Sequence, residues 1–235
     1  KLLKKLSIKL NILKWNGKKP RNNIQSIARE KRYDFLNKQS KKLKINYILL
    51  GHHKDDLIEN FFIRMLRGSG LNGMLSLNEK SDYQKIKLIR PLMKFSKEDL
   101  VFISKKVFNT FVEDPSNENE NFKRVKIRNL IKAFKSEGLN VEKFNLTIKN
   151  LKFANEAIKF FAENNINENA INFKKKKSFF LNKEFFNQPE EIVFRSLTKI
   201  IKIVGEKYYP VRGKKIDKTV KLIKNNVFFK ITLGN

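Results

Sequence analysis

Apolar positions recur along this chain at two spacings, and the spacings divide it into elements. Residues 1–6 read as the end of an amphipathic helix. Leu10-Asn11-Ile12-Leu13-Lys14-Trp15 reads as a strand, stopped by Asn16-Gly17 and Pro20. Residues 23–44 read as a helix, with Ile24, Ile27, Ala28, Tyr33, Phe35 and Leu36 on its buried side. Asn46-Tyr47-Ile48-Leu49-Leu50 reads as a short buried strand entering Gly51. The alternation of strand, helix and strand predicts a parallel sheet with helices on its faces.

The helix after Gly51 has the clearest period. Ile58, Phe61, Phe62, Met65 and Leu66 fall at i, i+3, i+4, i+7 and i+8 and are expected to form its packed face. Asp55, Asp56 and Glu59 lie in its first turns, where carboxylates suit the positive end of the dipole. Asp56, Asn60 and Arg64 share a polar stripe. Gly68 and Gly70 are expected to end the helix and to free backbone N–H groups for an anion. Residues 86–92 form a strand broken at Pro91, and Ser96 with Asp99 predicts a capping box opening a helix to about Phe108. Asp114-Pro115-Ser116-Asn117 is a turn, residues 118–121 are polar, and Lys123, Arg124, Lys126 and Arg128 follow within six positions.

After about Ala133 the pattern changes. Residues 140–165 are helical, and Lys174–Lys177 is a four-lysine run. Pro189, Glu190 and Glu191 start a helix with Val193, Leu197, Ile200, Ile201 and Val204 inward, closed by Gly205. Residues 214–225 read as a basic helix and 227–233 as a strand. The expected organisation is an α/β domain over 1–133 and a mostly helical domain over 134–235.

Composition narrows the partners. A net charge of +29 favours polyanions, nucleic acid first and anionic membrane second. Part of the lysine excess matches what an AT-rich coding sequence produces. No apolar run reaches the roughly 18–20 residues of a membrane span, so no membrane partner is expected. Zero cysteines excludes disulfides, thiolate metal sites and cysteine nucleophiles, and fits a reducing compartment. No signal peptide is visible, and the first residue is Lys1. Only ten of the 52 basic residues are arginine, and seven of these fall within 28–35, 51–73, 88–92 and 114–128. In a lysine-biased chain, arginine marks places that need a planar bidentate donor.

The chain's only histidines, His52 and His53, precede Asp55 and Asp56 at the end of a strand. Three readings fit them: a divalent metal site, an ATP–Mg²⁺ site, or a capped helix with satisfied polar groups. Neighbours on a helix point about 100° apart, so the four cannot all ligate one ion. Arg67-Gly68-Ser69-Gly70 is either a helix stop or a phosphate contact. Residues 114–128 are either an exposed loop and solvated helix face, or a loop that closes over a nucleotide or grips an RNA backbone.

Several motifs occur in order: AREKRYDFL at 28–36, GHHKDDLIEN at 51–60, RMLRGSG at 64–70, LIRPL at 88–92, and EDPSN with RVKIR across 113–128. Together they resemble the tRNA(Ile)-lysidine synthetases, a family of PP-loop (N-type) ATP pyrophosphatases. A looser likeness runs through YPVRGKKID at 209–217 and ITLGN at 231–235. The resemblance implies an adenine nucleotide alpha hydrolase-like fold and a C–N-forming ligase that uses ATP and Mg²⁺. Its substrates would be L-lysine and the CAU-anticodon tRNA(Ile). ATP adenylates the wobble cytidine, and the lysine amine then displaces AMP from C2. A cytoplasmic homodimer is the implied setting.

The resemblance also distributes roles. His52, Asp55, Asp56 and Arg124 are implied in catalysis, with Asp56 near Mg²⁺. Arg29, Arg32, Glu59, Arg67, Gly68, Ser69 and Gly70 are implied at ATP. Lys123, Arg128, Arg212, Lys214 and Lys215 are implied at tRNA. Asn60 stands where the family usually has threonine. The family's SGGxDS loop is not in this sequence, so a fragment inactive by itself is expected. Two alternatives stay open: a tRNA thiolation enzyme, disfavoured by the lack of cysteine, and a non-enzymatic basic RNA-binding module.

Overall fold

A computed structural model describes the chain except residues 1, 18–19, 21–23, 84–85, 114–122, 174–177, 207–210, 212, 227–229 and 233–235. The turn at 114–117, the polar stretch 118–121, the lysine run, Arg212 and most of the strand expected at 227–233 lie outside the described residues. The chain divides into two compact units, Lys1–Leu139 and Asn140–Asn235.

The first unit opens with α1 (Leu2–Lys5) and α2 (Ile24–Lys42), followed by β1 (Tyr47–Leu49). Then come α3 (Lys54–Met65), α4 (Leu71–Met74), β2 (Lys80–Tyr83), β3 (Ile86–Ile89), α5 (Lys97–Phe108) and α6 (Lys123–Ser136). The sheet is small and mixed rather than wholly parallel. Its order is β1-β3-β2, with β1 parallel to β3 and β2 antiparallel to it. Tyr33 of α2, Tyr83 and Leu88 form the buried centre beneath Ile48 and Leu50. The Tyr33 and Tyr83 rings lie 5.1 Å apart.

Three expectations are corrected here. Residues 10–15 form no strand, and Leu10, Ile12 and Leu13 are exposed. Alternation describes a strand's two faces, whereas the strand itself needs a neighbour's hydrogen bonds. The inward side of α2 is Tyr33, Asn37 and Ser40, while Ile24 and Ala28 are exposed. The buried residues of α3 are Asp56, Ile58, Glu59 and Ile63, and Met65 and Leu66 are exposed. The α5 capping box forms as expected: Ser96 Oγ accepts from the Asp99 N–H at 3.0 Å, and Asp99 accepts from the Ser96 N–H at 2.8 Å.

The second unit comprises α7 (Val141–Asn169), the hairpin of β4 (Ala170–Phe173) and β5 (Ser178–Leu181), α8 (Lys183–Phe186), α9 (Glu190–Val204) and α10 (Gly213–Lys224). Asn140 caps α7, its side-chain oxygen accepting from the Glu142 N–H at 2.7 Å. Phe185, Val193, Leu197, Ile200 and Ile216 make the core. Val204, expected inward, is exposed. Above the core, the Asn165 amide donates to the Phe185 carbonyl and the Ser196 hydroxyl, each at 3.2 Å. Ser196 donates onward to the Ala162 carbonyl at 3.0 Å.

Candidate active site

The site begins where β1 and β3, running in parallel, leave the sheet. The Leu50 N–H donates to the Ile89 carbonyl at 2.8 Å, which holds β1 and β3 together up to the edge. The chain then turns through His52 and His53 into α3. His53 is the N-cap, with extended φ −123° and ψ −177°. Its backbone N–H donates to the Asp56 carboxylate at 3.0 Å, so Asp56 closes the first turn. The same turn is stitched to α5: Lys54 N–H donates to the Phe95 carbonyl at 2.9 Å, and Asp55 accepts from the Lys97 N–H at 2.7 Å.

The His53 ring lies between two carboxylates. Its Nδ1 is 3.4 Å from Asp55 Oδ2, and its Nε2 is 3.5 Å from Asp56 Oδ2. Asp55 draws the His53 pKa upward, with Asp56 adding to it against the cost of burial. His53 in turn holds Asp55 down to about 2, helped by the Lys97 N–H. His52 moves the other way. Burial pushes it down, Asp56 opposes that shift, and the guanidiniums of Arg90, Arg124 and Arg29 add to the downward push. Its Nδ1 is buried with no hydrogen-bond partner among the described residues. One histidine is thus biased towards the cation and its neighbour towards the neutral imidazole.

Two rungs join α3 to α6. Arg128 Nε donates to Glu59 Oε1 at 2.6 Å, and the Glu59 side chain is only 4% exposed. One turn earlier, Arg124 Nη1 lies 3.8 Å from Asp56 Oδ1. Further along, the Phe62 and Phe134 rings stack at 5.5 Å. The partners rise together in number, so α3 and α6 run side by side in the same sense. Asp56 and Glu59 are i, i+3 on one helix, and Arg124 and Arg128 are i, i+4 on the other. Beneath the rungs, Ile63 of α3 and Val125, Ile127 and Ile131 of α6 are buried. The two rungs differ in exposure: the Arg124 side chain is 44% exposed, and its 3.8 Å contact leaves donors available.

A second group of cations sits at the far end of α3. Burial lowers the pKa of Arg64, and the charges of Arg67 and Arg29 add to the effect. Arg29 also lies 5.5 Å above the Tyr33 ring. The RGSG segment departs from its expected use. Gly68 has φ +65°, and its N–H donates to the Met65 carbonyl at 2.9 Å, while the Ser69 N–H donates to the Arg64 carbonyl at 3.0 Å. These paired bonds close the helix in a Schellman turn. The N–H groups of Gly68 and Ser69 are therefore spent on the helix stop and are not free for an anion. Gly70 caps the short α4.

Of the residues singled out from the sequence, His52, Asp55, Asp56, Glu59, Arg124 and Arg128 come together along α3 and α6. Arg29 joins them through its field at His52. Arg32 and Arg67 are exposed, on α2 and just beyond α3. Lys123 is exposed at the start of α6, and Lys214 and Lys215 are exposed on α10 in the second unit. Asn60 donates to Ser76 Oγ at 3.4 Å. Sequence reasoning left open which of His52 and His53 faces a nucleotide, and it assigned no role to Arg90. Arg90 is buried at the end of β3, where its Nη1 donates to the Asn78 carbonyl at 2.7 Å and Ser81 Oγ at 3.0 Å. The scarcity of arginine was the signal that singles it out.

Comparison with known proteins adds a family. A family profile described as a PP-loop domain matches residues 1–134. A protein named tRNA(Ile)-lysidine synthase from Wolbachia sp. subsp. Brugia malayi is 33% identical over 214 residues, covering 89% of this chain and 49% of that protein. One of the same name from Mesoplasma florum is 29% identical over 97% of this chain and 56% of its own length. One from Anaplasma marginale is 28% identical over 88% of this chain and 44% of its own length. The chain spans about half the length of these curated relatives.

Proposed function

Because the chain belongs to the PP-loop domain family, we propose that it forms part of a ligase that uses ATP to join L-lysine to a tRNA(Ile). In this reading O2 of the wobble cytidine attacks the α-phosphate of ATP and pyrophosphate leaves. The lysine amine then forms a bond to C2, and the C2–O bond breaks to release AMP. The finer parts of the reading are the CAU anticodon, magnesium, a homodimer and a cytoplasmic setting.

The observation that carries the proposal is the juxtaposition of Asp56 and Arg124 beside His52 and His53, at the edge where β1 and β3 end. Open α/β sheets bind ligands at that edge. The residues fit a polyphosphate: Arg124 keeps donors free, Arg29 and Arg90 add positive field, and His52 carries an orphaned buried nitrogen. They do not form an all-protein metal cage, since no group of three or more His, Asp or Glu among the described residues is placed to hold an ion. Magnesium commonly rests on one or two carboxylates plus phosphates, and Asp56 is the carboxylate for that role.

Each side chain has a task on this basis. Arg124 offsets charge that develops on the α-phosphate. Neutral His52 receives or donates a hydrogen bond without adding charge. His53 and Asp55 orient the first turn of α3, and with it Asp56. Glu59 and Arg128 fix the spacing of α3 from α6. Arg32, Arg67, the Ser69 hydroxyl and Gly70 remain ATP contacts in this reading, and Lys123, Arg212, Lys214 and Lys215 remain tRNA contacts.

The test uses the native gene product that contains this chain, with labelled lysine and tRNA(Ile) transcript. Asp56→Asn and Arg124→Ala should each lower lysidine formation about a hundredfold, with far-UV circular dichroism unchanged. Activity within twofold of wild type in both variants would overturn the site. Isotope exchange between ATP and pyrophosphate distinguishes the enzyme from a basic RNA-binding module, which would bind tRNA with steep salt dependence and no exchange.

A further inference from the structure

The segment LIRPL at 88–92 carries a residue whose surroundings do not match its charge. Arg90 directly follows β3, and Pro91, which has no N–H to give a neighbour, stops the strand there. Arg90 is 4% exposed. Both of its side-chain hydrogen bonds among the described residues leave from Nη1, to the Asn78 carbonyl at 2.7 Å and to Ser81 Oγ at 3.0 Å. Its backbone N–H donates to the Glu79 carbonyl at 2.8 Å. Arg90 is thus fastened to β2 and to the chain that leads into it. Hydrogen bonds and charge are separate requirements, however. A carbonyl and a hydroxyl satisfy N–H donors but do not offset a guanidinium. None of the ion pairs among the described residues involves Arg90, and its Nε is buried without a hydrogen-bond partner among them. Arg128, by contrast, meets Glu59 at 2.6 Å. Buried charges are ordinarily paired, and one left unpaired is costly.

The position of Arg90 says what could offset it. Strands β1 and β3 are parallel, with Leu49 opposite Ile89. Leu50 is therefore opposite Arg90, and His52 lies two residues beyond, at the edge where such sheets receive ligands. The His52 ring registers the charge: of the arginines that lower its pKa, Arg90 acts most strongly. A side chain this buried acts on a ligand through its field rather than by contact, and a low-dielectric interior strengthens that field.

We infer that Arg90 is an affinity determinant that works without contact: a fixed, buried cation whose counter-charge is the polyphosphate bound where β1 and β3 end. The inference rests on the proposed function for the place of the polyphosphate, and it separates a buried source of field from the exposed donors of Arg124. The test measures ATP and AMP affinity by isothermal titration calorimetry on the native gene product that contains this chain. Arg90→Gln removes the charge and keeps a donor for the Asn78 carbonyl. It should weaken ATP binding about tenfold and AMP binding markedly less, because the loss scales with ligand charge. Arg90→Lys keeps the charge and should retain most of the ATP affinity. If Arg90→Gln does not fold, as read by far-UV circular dichroism, Arg90→Met takes its place, since an apolar side chain suits a buried site. Unchanged ATP affinity in the neutral variant overturns the inference. So does an equal loss for ATP and AMP, an equal loss in the Lys and neutral variants, or failure of both neutral variants to fold, because each is what a purely structural tie between β2 and β3 would give. The two readings fail separately: if Arg124→Ala weakens ATP binding and the neutral Arg90 variant does not, only the role of Arg90 falls, and if neither does, the polyphosphate site falls with it.

Discussion

The two units bury polar groups in opposite ways. Between α3 and α6 the buried polar atoms are ionic: Glu59 meets Arg128, and Asp56 meets Arg124. Over the core of the second unit they are neutral: Asn165, Ser196 and the carbonyls of Phe185 and Ala162 satisfy one another. A neutral network is closed and needs nothing further. An ionic one stays costly to bury and is rarely better for stability than apolar packing. The contrast teaches where to look for chemistry: charge near a sheet's carboxyl edge marks a candidate ligand site, while amides over a core hold shape.

Substitutions can break this contrast, taken from largest effect to smallest. Phe185→Ala in the second core should cost about 3–5 kcal/mol, read by urea unfolding, because a fully buried ring leaves a cavity. Arg128→Ala should cost roughly 2–4 kcal/mol, because it strands the buried Glu59 carboxylate. A double change to Glu59→Gln and Arg128→Met should recover most of that loss, and if it does not, the rung is more than an ion pair. Asn165→Ala should cost about 1–3 kcal/mol by leaving the Phe185 carbonyl short of a donor. Arg124→Ala should cost at most about 1 kcal/mol, since the contact is 3.8 Å long and the arginine side of it is 44% exposed. Yet it should remove activity, and that split between stability and turnover is the sharpest form of the comparison.

The smallest effect concerns pH. Ser96 holds the Asp99 carboxyl below its usual range. A depressed folded-state pKa contributes stability above the ordinary carboxylate value and loses it as pH falls through the folded one. Helix α5 should therefore loosen at acid pH, and Ser96→Ala should flatten that dependence. Amide exchange across 97–108 at pH 3 and pH 6 would check it.

What was legible in the sequence is what is local. The α5 capping box involves residues three apart, and α9 runs from Glu190 to Val204 between Pro189 and Gly205 as its pattern suggested. What was hidden depends on a neighbour. Strand β2, KSDY, is polar and carries no strand signature, and it exists because β3 pairs with it. Strands β4 and β5 were hidden likewise. The α3 seam was misjudged because Asp56 and Glu59 look solvent-facing until Arg124 and Arg128 arrive from far along the chain. In the candidate site, the residues of one motif were visible, but which rungs they would form was not. The i, i+3 acids and i, i+4 arginines were the available hint.

The Glu59–Arg128 rung joins residues 69 positions apart. Two helices lying alongside in one direction cannot be linked by a tight turn, so β2, β3 and α5 must all be traversed before the second arrives. Loop closure of that length carries an entropic toll that local contacts do not repay. The α3–α6 rungs are therefore expected to form after the local contacts of each helix. If the proposed function holds, a nascent or partly unfolded chain would present its lysines to RNA well before it could hold a triphosphate.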